Sequence, residues 1–324
     1  MFSVIIITRD RLALLQKCLD SLEVFRAALK FELIIVLNGE DPLSHAFLND
    51  KPDITFLYSS QPLAPGAARN LALENVTKEW TFFIDDDAQV PPDYFSYALK
   101  LLKDIPKAQV IGGSDTFPHD SKGLALATSL TLESPLCTGL TSRRHSQSGL
   151  KPVRADETSL TSCNLWVRSH WWLKGLRFPE NYVRGEETIL LKMISLQTDE
   201  LWYVPTLKVA HQRRDNLKSI VRASYKGGYY RARTLREYGG DWWFWLAPVF
   251  VILHFSAIAM PPFFYGCVIL WLSLVSLVSL KISIEHKKYS SFFYMIALHW
   301  IILFSYGLGF IKFQTDDWSG GEPK

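Results

Sequence analysis

The stretch WTFFIDDDAQVPPDY, residues 80–94, carries an apolar, β-favouring run straight into three consecutive aspartates and then a Pro-Pro turn. A short run of this kind bounded by turn residues reads as a buried strand. Asp85, Asp86 and Asp87 then fall where that strand comes to the surface. Packed carboxylates repel one another, and keeping them together costs stability unless a cation or hydrogen-bond donors gather there. Positive charge is expected at that spot.

Working outward, FSVIIITR is a second β-branched run, and LALLQKCLDSLEVF follows it with helical periodicity. FELIIVLNG ends in an Asn-Gly turn, ITFLYSS is a further strand, and PGAARNLALENV opens on Pro-Gly and continues as a helix. Strands alternating with helices from the first residue predict an α/β class with a doubly wound parallel sheet, whose ligands sit at the carboxyl ends of the strands. Thr8-Arg9, Asn38-Gly39 and the aspartates all lie at such ends, so they are expected to converge on one crevice. Neither GxGxxG after the first strand nor GxxxxGK[ST] is present, which argues against a dinucleotide-dependent oxidoreductase and a P-loop enzyme. Mg²⁺ prefers one or two carboxylates plus substrate phosphates, so a divalent cation on the aspartates is the natural phosphate cradle. Gly112-Gly113 reads either as a close backbone approach to a ligand or as a turn.

The 324 residues are 48% apolar, but the apolar residues are unevenly spread. Trp242 to Leu280 contains no Asp, Glu, Lys or Arg, and neither does Phe292 to Ile311. Runs of about 20 apolar residues match a bilayer crossing, which predicts three transmembrane helices at 242–260, 263–280 and 292–311, broken at Pro261-Pro262, and a short tail at 312–324. The segment 217–241 mixes basic residues with Tyr and reads as an interfacial, juxtamembrane stretch on anionic headgroups rather than as an RNA surface. Its basic residues, with Lys281, Lys287 and Lys288, place both flanks in the cytoplasm by the positive-inside rule. The net charge of +3 is too small to imply a nucleic-acid partner. Four well-separated cysteines without CxxC or Cys/His spacing argue against a zinc site or a disulfide framework. The N-terminus reads as a strand rather than as a cleaved leader, and TGLTSRRHSQSGLKPVR, 138–154, reads as a mobile loop.

The ordered series SVIIITRDR, FELIIVLNG, PGAARNLAL, FIDDDAQVPPDYF, SCNLWVRSHWWLKGLRF and RGEETILLKMI resembles the family 2 glycosyltransferases of the GT-A fold over residues 1–236, which implies a doubly wound mixed or parallel sheet followed here by a helical transmembrane region. The resemblance implies inverting transfer of a sugar from a nucleotide-diphosphate donor, with Mg²⁺ or Mn²⁺ as cofactor on a DxD motif. It places the metal on Asp87 and His211, and the nucleotide sugar on Thr8, Arg9, Asn38, Arg69, Asp85, Asp86 and Glu186. Glu187 takes the place of the catalytic base. Taken alone, a Glu pair at a helix start more often serves only the helix dipole. Two departures stand out: Leu37 replaces the Asp that often precedes Asn-Gly and contacts uracil, and the Gln-x-x-Arg-Trp of processive synthases is missing. One sugar per visit is expected, from a donor for which a UDP-sugar leads. The expected protein is integral to a membrane of the bacterial inner-membrane type, its catalytic domain is cytoplasmic, and its acceptor is lipid-linked or membrane-proximal in cell-surface glycan assembly. A polyprenyl-phosphate glycosyltransferase and a non-enzymatic scaffold on a degenerate GT-A fold remain the alternatives.

Overall fold

A computed structural model describes residues 2–145, 151–257 and 261–316. In chain order the elements begin β1 (Phe2–Thr8), α1 (Leu12–Leu29), β2 (Glu32–Asn38), α2 (Pro42–Asn49), β3 (Thr55–Ser59) and α3 (Pro65–Leu73). They continue β4 (Trp80–Ile84), β5 (Ala88–Gln89), α4 (Tyr94–Asp104), β6 (Val110–Thr116), α5 (Gly123–Leu132) and α6 (Pro135–Thr138). Next come β7 (Val153–Arg154), β8 (Asn164–Arg168), α7 (His170–Leu173), α8 (Glu186–Ser195) and β9 (Leu201–His211). Four long helices close the series: α9 (Leu217–Tyr238), α10 (Leu246–Ala257), α11 (Pro261–Glu285) and α12 (Phe292–Thr315).

The chain divides into two compact units, Met1–Asp120 with Arg143–Gln212, and Ser121–Ser142 with Arg213–Lys324. Residues 121–142 and the helix at 217–238 belong to the unit that holds the C-terminal helices.

The first unit holds one sheet in the order β3-β2-β1-β4-β8-β6-β9-β5, with β7 added on β9. Pairing is parallel through β3, β2, β1 and β4, antiparallel where β8 is inserted between β4 and β6, and parallel again between β6 and β9. The sheet is therefore mixed, within the mixed or parallel arrangement that the GT-A resemblance implies. Its strands are apolar at successive positions because both faces are covered. Val4, Ile6, Leu33, Ile35 and Phe82 face one core, which α1 and α4 close with Leu15, Leu22 and Phe95. Ile5, Ile34, Val36 and Phe83 face the other, under Ala68 and Ala72 of α3 and Leu190 and Ile194 of α8. Leu37 is fully buried in the first core, so the position where the family often carries an Asp serves packing here.

Gly112 and Gly113 lie inside β6, next to a register shift between Gly113 and Ser114. A Cβ at Gly113 would sit 1.8 Å from the Leu207 carbonyl oxygen and 2.4 Å from Asn164 Nδ2, and one at Gly112 would meet Leu160 at 2.7 Å. At Gly113 the close approach is to the backbone of β9, and at Gly112 it is to the Leu160 side chain. Gly113→Ala should overpack the sheet and cost at least about 1–3 kcal/mol, read as a lowered urea midpoint with unchanged slope; an unchanged midpoint would show that β9 yields freely.

In the second unit α9 packs along α12 through small residues. A Cβ on Gly228 would lie 1.8 Å from the Tyr306 carbonyl oxygen, and one on Gly309 would lie 1.9 Å from that of Tyr225. Two glycines inside helices lower helix propensity but let the backbones touch. Tyr229, Tyr230 and Ala232 are buried while Lys218, Arg222 and Arg236 stay exposed, so the segment read as interfacial is a packed helix with a basic outer side. Two helical stretches, Tyr265–Glu285 and Tyr289–Thr315, are long and apolar enough to cross a membrane. The third expected span corresponds to the shorter apolar stretch Trp242–Ser256, with 258–260 outside the described residues. The stretch read as a mobile loop begins with a 3-10 turn, Gly139–His145, and 146–150 of it lie outside the described residues, as do 317–324 of the tail.

Candidate active site

The aspartates connect β4 to β5, and strand register decides what meets them. Ala88 of β5 pairs with His211 at the end of β9, and the Gln212 amide donates to the Asp87 carbonyl at 2.8 Å. His211 thereby lies against Asp87, with Nε2 3.0 Å from Oδ1. Its other nitrogen, Nδ1, faces Oδ2 of buried Asp115 at 3.2 Å, and Asp115 also holds His145 Nδ1 at 2.5 Å. Carboxylates only accept, so the ring of His211 is held between Asp115 at Nδ1 and Asp87 at Nε2, each contact being a hydrogen bond when that nitrogen carries a proton.

The three aspartates have three different surroundings. Asp86 is 4% exposed and caged: Thr8 donates its hydroxyl at 2.8 Å and Arg11 its guanidinium at 3.1 Å. Burial and the neighbouring Asp87 push the Asp86 carboxyl up to about 6, against the pull of Arg11 and Thr8. Asp87 accepts from Arg11 at 2.8 Å. Asp85 lies 3.5 Å from Arg69, and its carboxyl is raised, first by burial, with Arg69 opposing and Asp87 adding to the rise.

Arg69 joins this edge to the start of α8. Its guanidinium is buried, donates to Glu186 at 2.5 Å and to Ser162 at 2.9 Å, and so ties Asp85 to the Glu186-Glu187 pair. Glu186 is pushed up to about 7 by burial and by Glu187, with Arg69 pulling it down. The N-cap Gly185 has φ 81°, a left-handed conformation that glycine adopts without strain. Both glutamates then occupy the first turn of α8, where the dipole favours negative charge. Arg144 lies 3.7 Å from Glu187.

Among the residues expected at the site, Thr8, Asp85, Asp86, Asp87, Arg69, Glu186, Glu187 and His211 are brought together. Asn38 uses its amide differently: it donates to the Leu63 carbonyl at 2.9 Å and accepts from the Leu63 amide at 2.7 Å, which shapes the loop after β3. Arg9 pairs with Asp10 at 3.1 Å and is about half exposed. Sequence reasoning missed Arg11, Asp115, Ser162 and Cys163. Arg11 had a readable signal, since it precedes α1 by one residue at the carboxyl end of β1 and is thus aimed at the strand ends.

Arg11 supplies the positive charge that the aspartates require. Arg11→Ala should lower the melting temperature of the cation-free protein, because Asp86 and Asp87 lose their shared counter-charge. Added Mn²⁺ should then raise that temperature more in the variant than in the wild type. Equal shifts in differential scanning calorimetry would mean that Arg11 and a cation do not share these carboxylates.

A mixed doubly wound sheet with an acidic strand end facing a glutamate pair defines a transferase of the GT-A type. The chain belongs to glycosyl transferase family 2, whose model matches residues 3–166, and is a glycosyltransferase using a nucleotide sugar. Its fold is shared with the 1–349 portion of S. aureus TarS, solved in complex with UDP-GlcNAc. That likeness covers 97% of this chain and 91% of the other at 12% identity, with a TM-score of 0.51. The mannosyltransferase PcManGT from Pyrobaculum calidifontis, solved with GDP-Man and Mn²⁺, is similar over 97% and 87% at 15% identity, with a TM-score of 0.58. A search of curated proteins found no match.

Proposed function

We propose that this chain is an inverting, metal-dependent glycosyltransferase that moves one sugar from a nucleoside-diphosphate donor to a hydroxyl of a lipid-linked or membrane-proximal acceptor. The observation that carries the reading is the Asp85–Arg69–Glu186 bridge, which ties the carboxylate edge to the turn that bears Glu187. Oxygen and nitrogen donors from Asp87 and His211 fit Mg²⁺ or Mn²⁺, and the like-charged aspartates favour one. When bound, such a cation stabilises charge on the leaving diphosphate. Glu187 accepts the proton of the acceptor hydroxyl as general base. Arg69 holds the first turn of α8, and Asp115 keeps His211 turned toward Asp87. Thr8 and Arg11 hold Asp86, so that its charge adds to the site without moving.

The donor base is tested by calorimetric titration of the detergent-purified chain with UDP, GDP, dTDP and CDP, each with and without Mn²⁺. Metal-dependent binding of one nucleotide is expected, with UDP leading. Binding of none by folded protein would sink the reading.

The membrane role rests on α11 and α12. Ile269, Leu270, Leu277 and Phe293 are 61–79% exposed on them, a surface that water does not favour and lipid does. With Arg236 before α10 and Lys281, Lys287 and Lys288 near the end of α11, both flanks of that helix pair face the cytoplasm with the catalytic unit. The α12 helix then crosses to the far side. A topology reporter fused after Lys324 should read non-cytoplasmic; a cytoplasmic signal would overturn this arrangement.

A further inference from the structure

We propose that Asp85, Cys163 and His211 form a site for a thiophilic divalent cation of the zinc or cadmium class, and that such an ion blocks the enzyme. One ligand atom from each of the three lies within 4.8 Å of the others. The residues arrive from separate places in the chain. Ile84 at the end of β4 pairs with Asn164 at the start of β8, so Asp85 and Cys163 stand one step beyond that pair on adjacent strands. The β5–β9 register adds His211.

The donor chemistry selects the ion. Cys163 is a free thiol, 1% exposed, and a sulfur–nitrogen–oxygen set is what zinc takes, whereas Mg²⁺ and Mn²⁺ favour oxygen. Hard ions and soft ions would thus settle on overlapping but different donors of one pocket. A second observation supports a cation: His211 stands between two carboxylates, Asp115 3.2 Å from Nδ1 and Asp87 3.0 Å from Nε2, and an ion on Nε2 would take the place of the proton that the contact with Asp87 needs. On coordination the thiol proton leaves to solvent, the sulfur donates its lone pair, and nothing is oxidised. Blocking rests on the proposed function, because His211 would be withdrawn from the ion that holds the donor; the binding site does not rest on it.

The test is zinc-edge X-ray absorption on the full chain in detergent with one equivalent of Zn²⁺. The wild type should show one sulfur at about 2.3 Å beside nitrogen and oxygen at about 2.0–2.2 Å. Cys163→Ser should lose the sulfur shell, and Asp115→Asn should weaken Zn²⁺ binding by about 10- to 100-fold. A nitrogen–oxygen shell alone in the wild type would overturn the site whether or not the variant folds. So would a sulfur shell that survives in Cys163→Ser, since Cys18, Cys137 or Cys267 would then be the ligand. Mn²⁺-dependent nucleotide binding, read separately by calorimetry, tells failure of this site from failure of the catalytic reading.

Discussion

Glu187→Gln is expected to leave nucleotide binding intact and to lower transfer to a hydroxyl acceptor by about 10²–10⁴-fold, the range that a positioned general base contributes. Gln keeps the size of the side chain and its place in the first turn of α8 but takes no proton at neutral pH. The bridge that holds this turn runs through Arg69, Glu186 and Asp85 and does not use Glu187, so the geometry of the donor edge should survive. The pairing that changes is with Arg144, 3.7 Å away. Donor affinity by calorimetry and single-turnover transfer measure the two effects separately. Full turnover by the variant would remove Glu187 as base and point to an acceptor already ionised, such as a polyprenyl phosphate. Loss of donor binding would instead make Glu187 part of the donor site.

Asp87→Ala should abolish cation-dependent nucleotide binding, an effect larger than the roughly 10–100-fold that losing only an orienting partner of a metal ligand costs. The same change should not unfold the protein. Asp86 keeps Thr8 at 2.8 Å and Arg11 at 3.1 Å, and one like charge has gone. With Asp87 absent, the carboxyl of Asp86 should fall from about 6 toward the ordinary range, because Asp87 is, after burial, the main influence raising it. Titration of Mn²⁺ by electron paramagnetic resonance, beside a melting curve, checks both halves. Unchanged Mn²⁺ affinity would move the ion to Asp85 and His211.

Two-sided burial is why so much of the first unit was legible. Strands such as ELIIVLN are apolar at consecutive positions because helices cover both faces, and helices such as α1 repeat their buried residues, Leu15, Cys18, Leu19 and Leu22, at helical spacing. Less of the second unit could be read. Apolar length signals membrane affinity, but the contact of Gly228 with α12 depends on residues far along the chain, and no local pattern announces it. In the site, the acidic run and the Glu pair were visible because each is contiguous. Arg69 was visible only as a member of a motif; its bridge from Asp85 to Glu186 exists because α3 and α8 lie over the same sheet face.

The order of strands and helices, the carboxylates at a strand end and the apolar C-terminal runs were determined by the sequence alone, since each follows from side-chain period, like-charge repulsion or length against a bilayer. Only the tertiary structure decided that Arg11 neutralises the aspartates, that Asp115 orients His211, and that Cys163 stands beside them. Cysteine spacing reads only ligands that are close in the chain. Here the insertion of β8 between β4 and β6 and the pairing of β5 with β9 bring residues 85, 163 and 211 together. Backbone hydrogen bonding across a sheet sets such distances, and it acts between strands that the sequence keeps far apart.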